Sequence, residues 1–577
     1  MPGRLRSLLA LLMVGAGLAV PTGAHAAPRS ATVPAHAVPR SATVPAHTAP
    51  PDVAAAVAAM QPGWNLGNTF DATGADETSW GNPRVTPELL AGIRAQGFRS
   101  IRIPVTWSQH LGAAPGHPID AAALARLREV VAWALDDGFH VMINIHHDSW
   151  QWINTMPADH DTVLARYNAI WTQIAAAFRD ASPRLLFESV NEPQFAAGGD
   201  DAALLAELNT SFHSIVRGSG GGNTERLLVL PTLHTSADQV YLDQLAGTIT
   251  ALGDRNVIAT VHYYGYWPFS VNIAGGYRFD ATAQQDLLGM FQRVHDTFVA
   301  RGIPVVVGEY GLLGFDRSTG TIEQGEKLKF FELFGHQARV NRVTTMLWDN
   351  GQHFDRTGLT WRDPELYGQI RSSWRTRSGT ADSDLLFTAR SAPVTARTIT
   401  LNPNGTGFAG LYLGRAALRR GSDYTLSGDQ LTLTAKLLRR LLKDRTYGVR
   451  STLSVRFTRG VPWRLDVLSY DTPVLTAATG DTGSFAIPTA FNGDRLATMT
   501  ATYADGSYAG PQNWTAYKEY DRTFAPDYTA GVIRLTSDFF AEVTDAAPVT
   551  LTFIFWSGAS VTYHVTRTGT TVTGAAG

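Results

Sequence analysis

Between about residues 60 and 375 short apolar runs alternate with longer segments of helical periodicity. The runs are Gly63–Gly67, Ser100–Val105, His140–Ile145, Arg184–Val190, Arg226–Leu230, Asn256–Val261, Ile303–Val307 and Arg342–Leu347. Each is the length of a buried strand and too short for a helix. Between them the spacing predicts helices over Ala121–Asp137, Asp161–Arg179, Asp201–Arg217, Thr282–Arg301 and Gln324–Arg339, with Gly138 and Gly302 as C-terminal stops. Eight strand–helix alternations over roughly 310 residues fit a (β/α)8 barrel, which takes ~250 residues before loop insertions. An open doubly wound sheet would need a glycine-rich phosphate turn after its first strand, and none stands there.

Beyond about residue 380 the pattern changes to alternating Thr, Val, Leu and Tyr punctuated by Gly and Asp, which predicts all-β modules. A near-repeat runs through this half. Asp423-Tyr-Thr-Leu, Leu431-Thr-Leu-Thr and Ser454–Gly460 are echoed by Asp527-Tyr-Thr-Ala, Ile533-Arg-Leu-Thr and Thr552–Gly558. Two related sandwich modules are expected, over 385–470 and 472–567, behind a barrel domain over 53–380.

The first 26 residues combine Arg4 and Arg6, an apolar run from Leu8 to Val20 and Ala24-His25-Ala26, the pattern of a secretory signal peptide. A directly repeated nonapeptide from Pro28 and again from Pro39 follows, read with its surroundings as a Pro/Ala-rich spacer over 27–52. An extracellular protein is expected, without a membrane span. Composition narrows its partners. The 48 Lys and Arg against 50 Asp and Glu give a net charge of −2, which argues against nucleic acid as a partner of the whole chain. With no cysteine, thiolate metal sites, disulfides and cysteine nucleophiles are excluded, and any metal would need His and carboxylate ligands.

In a barrel the chemistry sits where strands end, so the residues after each run are read first. The fourth ends in Asn191-Glu192-Pro193 and the seventh in Gly308-Glu309-Tyr310-Gly311. Two carboxylates across one open face are what glycosidic cleavage needs: one protonates the leaving oxygen while the other attacks or activates water. A single strand-end Glu would more simply cap a helix or bind an Arg. Here Asn65, Asn68, Arg102, Trp107, His146-His147-Asp148, His262-Tyr263-Tyr264 and Trp348-Asp349-Asn350 share the same end, a concentration that capping does not explain.

These residues resemble glycoside hydrolase family 5, in its endoglucanase and xyloglucanase subfamily 4. The resemblance is carried by Gly63–Asp71, Ile101–Trp107, Ile145-His-His147, Asn191-Glu-Pro193, His262-Tyr-Tyr264, Gly308–Gly311 and Leu347–Gly351, in order and over the whole barrel. It implies a retaining mechanism with Glu192 as acid/base and Glu309 as nucleophile. Retention in turn predicts carboxyl groups ~5–5.5 Å apart, against ~6.5–9.5 Å for inversion. On the same resemblance Asn191 is expected at the sugar 2-hydroxyl, Arg102 and Tyr264 at Glu309, and His262, His146 and His147 around the reacting sugar. Trp348 is expected as a platform beneath it, with Asn65, Asn68, Trp267 and Asp349 completing the substrate-binding set. Glu192 should carry a raised pKa. Trp80, Trp150, Trp152 and Tyr266 are further aromatic candidates for a long groove, which suits an internal polymer segment.

Gly421–Thr425 and Arg456–Gly460 resemble X2-type immunoglobulin-like modules, and the terminal module is similar to carbohydrate-binding module family 46. Trp514 is its candidate stacking residue, backed by Tyr517 and Trp556, the last equally readable as a core residue. The expectation is a secreted endo-β-1,4-glucanase, monomeric, without metal or cofactor, acting on β-glucan, with xyloglucan and mixed-linkage glucan as candidate substrates. The alternatives are an endo-β-mannanase, a metal-dependent hydrolase built on His146, His147 and Asp148, and a non-catalytic carbohydrate-binding surface protein.

Overall fold

The structure, a computed structural model, describes residues 52–577; the expected signal peptide and all of the spacer but Asp52 lie outside the described residues. Eight parallel strands close a barrel: β1 (Gly63–Asn65), β2 (Ser100–Ile103), β3 (His140–Asn144), β4 (Leu185–Glu188), β5 (Leu228–Pro231), β6 (Val257–Tyr263), β7 (Val305–Tyr310) and β8 (Thr344–Leu347). Closure is made by β1 against β8, with Gly63 opposite Met346 and Trp64 opposite Leu347. Strand burial is nearly continuous, as it must be when helices cover one face and the barrel interior the other.

The helices stand close to the predicted segments, at Ala121–Asp136, His160–Ala177, Asp201–Gly218, Ala281–Thr297 and Gln324–Val340. Gly138 and Gly302 adopt the left-handed backbone of helix stops, with φ of 88° and 77°. A short helix, Val53–Ala59, capped by Asp52, precedes β1. Its Val53, Ala56 and Val57, with Met60 beyond it, share one face. They join Met142, Leu186, Val229, Ile258, Val306 and Met346, one from each strand β3 to β8, in a core of their own. This helix therefore plugs the barrel at the end away from the strand-end residues.

Two sandwiches follow, each with a four-stranded and a five-stranded sheet. In the five-stranded sheet of the first, Leu385–Ala389 runs parallel to Trp463–Tyr470. In the second, Leu496–Tyr503, Val549–Phe555, Ser560–Thr568 and Thr571–Ala576 form a continuous antiparallel sheet over a core of Phe485, Phe524, Phe539, Phe553 and their neighbours. No helix among the described residues is long and apolar enough to cross a membrane.

The terminal module packs back onto the barrel loops that follow β6 and β7. Asn272 donates through Nδ2 to the Ala497 carbonyl at 3.0 Å and accepts through its own carbonyl from the Tyr520 N–H at 3.2 Å. Arg317 pairs with Glu519 at 2.6 Å, and Thr321 bonds Asp521. Trp556 is neither core nor free: Tyr277 meets it edge-on at 5.5 Å and Arg278 lies over its ring at 4.7 Å. Tyr517 packs against Gly275. Tyr517 and Trp556 thus hold the module on the barrel.

Candidate active site

β2, β4, β6 and β7 deliver the polar centre. Arg102, wholly buried on β2, spreads its guanidinium over four acceptors: Nε to Glu188 at 2.7 Å, Nη1 to Glu309 at 2.6 Å and Asn65 at 3.1 Å, and Nη2 to Asn191 at 2.6 Å. Burial pulls its pKa down, but the Glu188 and Glu309 charges win and raise it, so the cation is fixed. The second oxygen of Glu309 accepts from the Tyr264 hydroxyl at 2.5 Å. Burial and the Glu309 charge raise the Tyr264 pKa well above its ordinary value, so this phenol remains a donor. Both oxygens of Glu309 are therefore oriented by neighbours.

Glu192 sits opposite. Its φ of 40° is left-handed and unusual for a non-glycine residue, the more so before Pro193. The Asn191 N–H on Ile145 O and the His234 N–H on Pro193 O, both at 2.8 Å, hold the turn from either side. Strain of this kind persists where surroundings over-determine it. His262 Nδ1 lies 2.9 Å from Glu192 Oε1 and 3.5 Å from Glu309 Oε2. One oxygen of each glutamate and a ring nitrogen of His262 all fall within 4.8 Å of one another, so the two carboxyl groups form a close facing pair. Gly308 makes room for this pairing, since a Cβ there would stand 2.8 Å from Thr260 Oγ1 and 3.1 Å from His262 Nε2.

The expected rise in the Glu192 pKa is not found; the carboxyl is held below its ordinary value. Burial pushes the carboxyl up, but the His262 hydrogen bond and the charges of His262, Arg102 and His147 pull it down further. The side chain is 45% exposed at the open mouth, so its desolvation is incomplete.

Several expected sugar contacts turn out to be supports. Asn65 is fully buried and donates to the Gly308 carbonyl at 2.9 Å while accepting from Arg102. Asp349 is fully buried too, accepting from Trp64 Nε1 and the N–H groups of Gly351, His353 and Phe354. Both face inward because a strand end this tightly packed needs its polar groups paired. Asp148 turns from the histidines to Trp107 N–H, Ser108 and Trp152 Nε1. It is Asp71 that stands beside them, with one ligand atom each of Asp71, His146 and His147 within 4.8 Å. Both Asp71 oxygens already accept from the N–H groups of Asn68 and Thr69, at 3.0 and 2.6 Å. Trp152 is likewise buried, under Arg166.

Trp348, 8% exposed, stacks parallel to His146 with centroids 6.1 Å apart and reaches over Gly67, where a Cβ would meet its ring at 2.8 Å. His147 accepts from Trp150 Nε1 at 2.8 Å and packs against Trp80. Asn68 is half-buried in the loop after β1, with φ of 52°. Further along, Trp267 of the barrel and Trp514 of the terminal module stand 5.8 Å apart, Trp514 being 40% exposed. Sequence reasoning missed Glu188, Asn144 and Arg356. Glu188 and Asn144 are buried strand-end partners of Arg102 and His146. Arg356 ties Thr69, Gly67 O and Asp349 O together. For Glu188 and Asn144 the available signal was a charged or amide residue inside an otherwise apolar run, whereas Arg356 stands in a polar loop that carries no such signal.

The family model described as cellulase, glycosyl hydrolase family 5, matches residues 65–354. The chain belongs to this family. Two carbohydrate-binding domain models, X2 over 381–467 and family 46 over 471–575, match behind the family 5 barrel. Endoglucanase B of Paenibacillus lautus is 55% identical over 526 residues, covering 90% of this chain and 93% of its own. The full-length tri-modular endo-β-1,4-glucanase B of Bacillus halodurans superposes with a TM-score of 0.90 at 49% identity, over 91% of this chain and 99% of its own. A tri-modular family 5 subfamily 4 endo-β-1,4-glucanase of Bacillus licheniformis superposes at 0.78 and 32% identity, over 89% and 100%.

Proposed function

We propose that the protein is a secreted, retaining endo-β-1,4-glucanase that cuts internal bonds of β-glucans, with Glu309 as nucleophile and Glu192 as acid/base. The observation that carries this reading is the facing pair of glutamates, bridged by His262, with Glu309 held on one oxygen by Arg102 and on the other by Tyr264. A glucan entering the cleft strips water from Glu192. Desolvation, already the largest influence on that carboxyl, then grows and favours the protonated acid.

Glu309 attacks the anomeric carbon as Glu192 gives its proton to the departing glycosidic oxygen, leaving a glycosyl ester on Glu309. Glu192, now ionised, takes a proton from water, which attacks the same carbon and frees Glu309, so two inversions give net retention. Asn191, held by Arg102, is placed to meet the sugar 2-hydroxyl as charge develops, and the exposed part of Trp348 to meet the ring of the reacting sugar. His146 is held well below its ordinary pKa by burial and by the charges of His147, Arg102 and His262, so it meets the sugar as a neutral ring. No metal or cofactor enters the reaction so written.

The exposed rings of Trp150 and Trp514, the latter 5.8 Å from Trp267, support binding of a polymer segment rather than a chain end. The signal-peptide pattern of residues 1–26 supports export. Product profiles on carboxymethylcellulose, mixed-linkage glucan, xyloglucan and mannan test the reading. A spread of oligomers from the glucans supports it; release of a single small product, or mannan as the preferred substrate, contradicts it.

A further inference from the structure

The near-neutral chain hides a strong local imbalance. Residues 385–470 hold 14 Lys and Arg but only 4 Asp and Glu, while the chain as a whole holds 48 and 50. Three of the four acids are already committed within the module: Asp423 to Arg440 at 3.3 Å, Asp466 to Arg464 at 2.5 Å, and Asp444 to Arg450. Exposed Arg397, Arg419, Arg420, Lys436, Arg439 and Lys443 have no acidic partner among the described residues.

The fold gathers these six. The helix Ala435–Leu441 carries Lys436 and Arg439, and Lys443 follows it directly. Arg439 reaches the Val394 carbonyl, which brings the helix against the segment leading to Arg397; Arg397 in turn pairs with Leu433, just before the helix. On the other flank the Asp423 carboxylate accepts from the Arg419 N–H at 2.9 Å and faces Arg440 of the same helix, so Arg419 and Arg420 join from that side. Like charges crowded this way repel one another and are relieved only by a polyanion or counterions.

We propose that this face of the X2-type module binds acidic polysaccharide, a polyuronate whose regularly spaced carboxylates are taken by the arginine forks. The module matches a carbohydrate-binding domain model, yet it lacks the stacking surface a neutral glycan would need. Tyr447, its exposed aromatic residue among the described residues, lies under Arg390 at 4.9 Å and bonds Asp471 through its hydroxyl. Guanidinium groups are the chemistry its surface offers, and they match planar carboxylates two bonds at a time. The protein would thereby dock on an anionic glycan while the barrel cuts a neutral one.

The test is affinity electrophoresis of the full chain through gels containing polygalacturonate, fully methyl-esterified pectin, or duplex DNA of matched charge, with co-sedimentation on anionic lipid vesicles alongside. Retardation by polygalacturonate is expected, with none by the esterified polymer. It should fade as NaCl rises from about 20 mM to about 0.3 M, where the Debye length falls from ~20 to ~6 Å. The combined Arg419→Glu, Arg439→Glu and Lys443→Glu variant should lose at least about tenfold in this affinity and keep its activity on soluble mixed-linkage glucan. If that variant misfolds, Arg419→Gln with Arg439→Gln should show the same loss in smaller measure. Absence of retardation, unchanged affinity in folded variants, or DNA or vesicles held as tightly as polygalacturonate would overturn the proposal.

Discussion

Tyr264→Phe removes one oxygen and keeps the ring that packs beside Gly311. In the wild type that hydroxyl donates to Glu309 Oε2 at 2.5 Å, while Arg102 holds Oε1 at 2.6 Å. A hydrogen bond to a charged group contributes about 1.5–3 kcal/mol. If its chief use is to aim the nucleophile, that energy is lost at the transition state, and kcat/KM should fall about 10- to 150-fold. Arg102 still binds the carboxylate, so the fall should stop well short of that caused by losing Glu309 itself. Steady-state kinetics on an aryl β-cellobioside read the effect, with a thermal melt to show that the barrel is unchanged. A change in kcat/KM below threefold, or a drop matched by a collapse of the melting temperature, would refute the reasoning.

Three further outcomes follow from other contacts. His262→Phe removes the donor and the charge that hold the Glu192 carboxyl below its ordinary pKa, so the alkaline limb of the kcat/KM profile, which reports the acid, should move to higher pH; an unmoved limb would assign His262 elsewhere. Glu323 and Asp384 face each other at the junction of barrel and first sandwich, near Glu326 and Arg464. Burial raises both carboxyls, with the charge of Glu326 next for Glu323 and that of Glu323 next for Asp384. The folded state therefore holds extra protons in the window from the ordinary carboxylate value up to the raised one, and stability falls as pH rises through it. Asp384→Asn should raise the melting temperature at pH 8 and give no gain at pH 4, and a pH-independent effect would contradict this. Trp514→Ala, which removes the exposed ring 5.8 Å from Trp267, should raise KM for polymer severalfold, on the scale of one stacking contact of ~0.5–1.5 kcal/mol, and leave the aryl cellobioside kinetics unchanged.

The barrel was legible because each of its strands is a short, largely apolar run and its long helices are periodic, two patterns that do not depend on distant partners. The facing glutamates were legible for a related reason: strand ends place polar residues on one face whatever the loops do. What could not be read was which strand-end group meets the sugar and which supports another side chain. Asn65 and Asn191 are the same residue type and both accept from Arg102, yet Asn65 is fully buried with its amide donating to the Gly308 carbonyl, while the turn at Asn191 is held by its own N–H on Ile145 O. Only packing across the barrel separates them. The pKa of Glu192 was misjudged for the same reason, because the expectation rested on the protonated acid that the reaction needs and the answer lay in a nitrogen 70 residues further along. Trp514, Tyr517 and Trp556 differ in use because docking of the terminal module half-buries Tyr517 against Gly275 and Trp556 against Tyr277 and leaves Trp514 exposed.

The central claim is that Glu309 forms the bond to sugar while Glu192 moves the proton. Incubation with a 2-deoxy-2-fluoro cellobioside carrying a good leaving group should trap the glycosyl ester, and peptide mass spectrometry should place it on Glu309. A label on Glu192 or on any other residue would contradict the account.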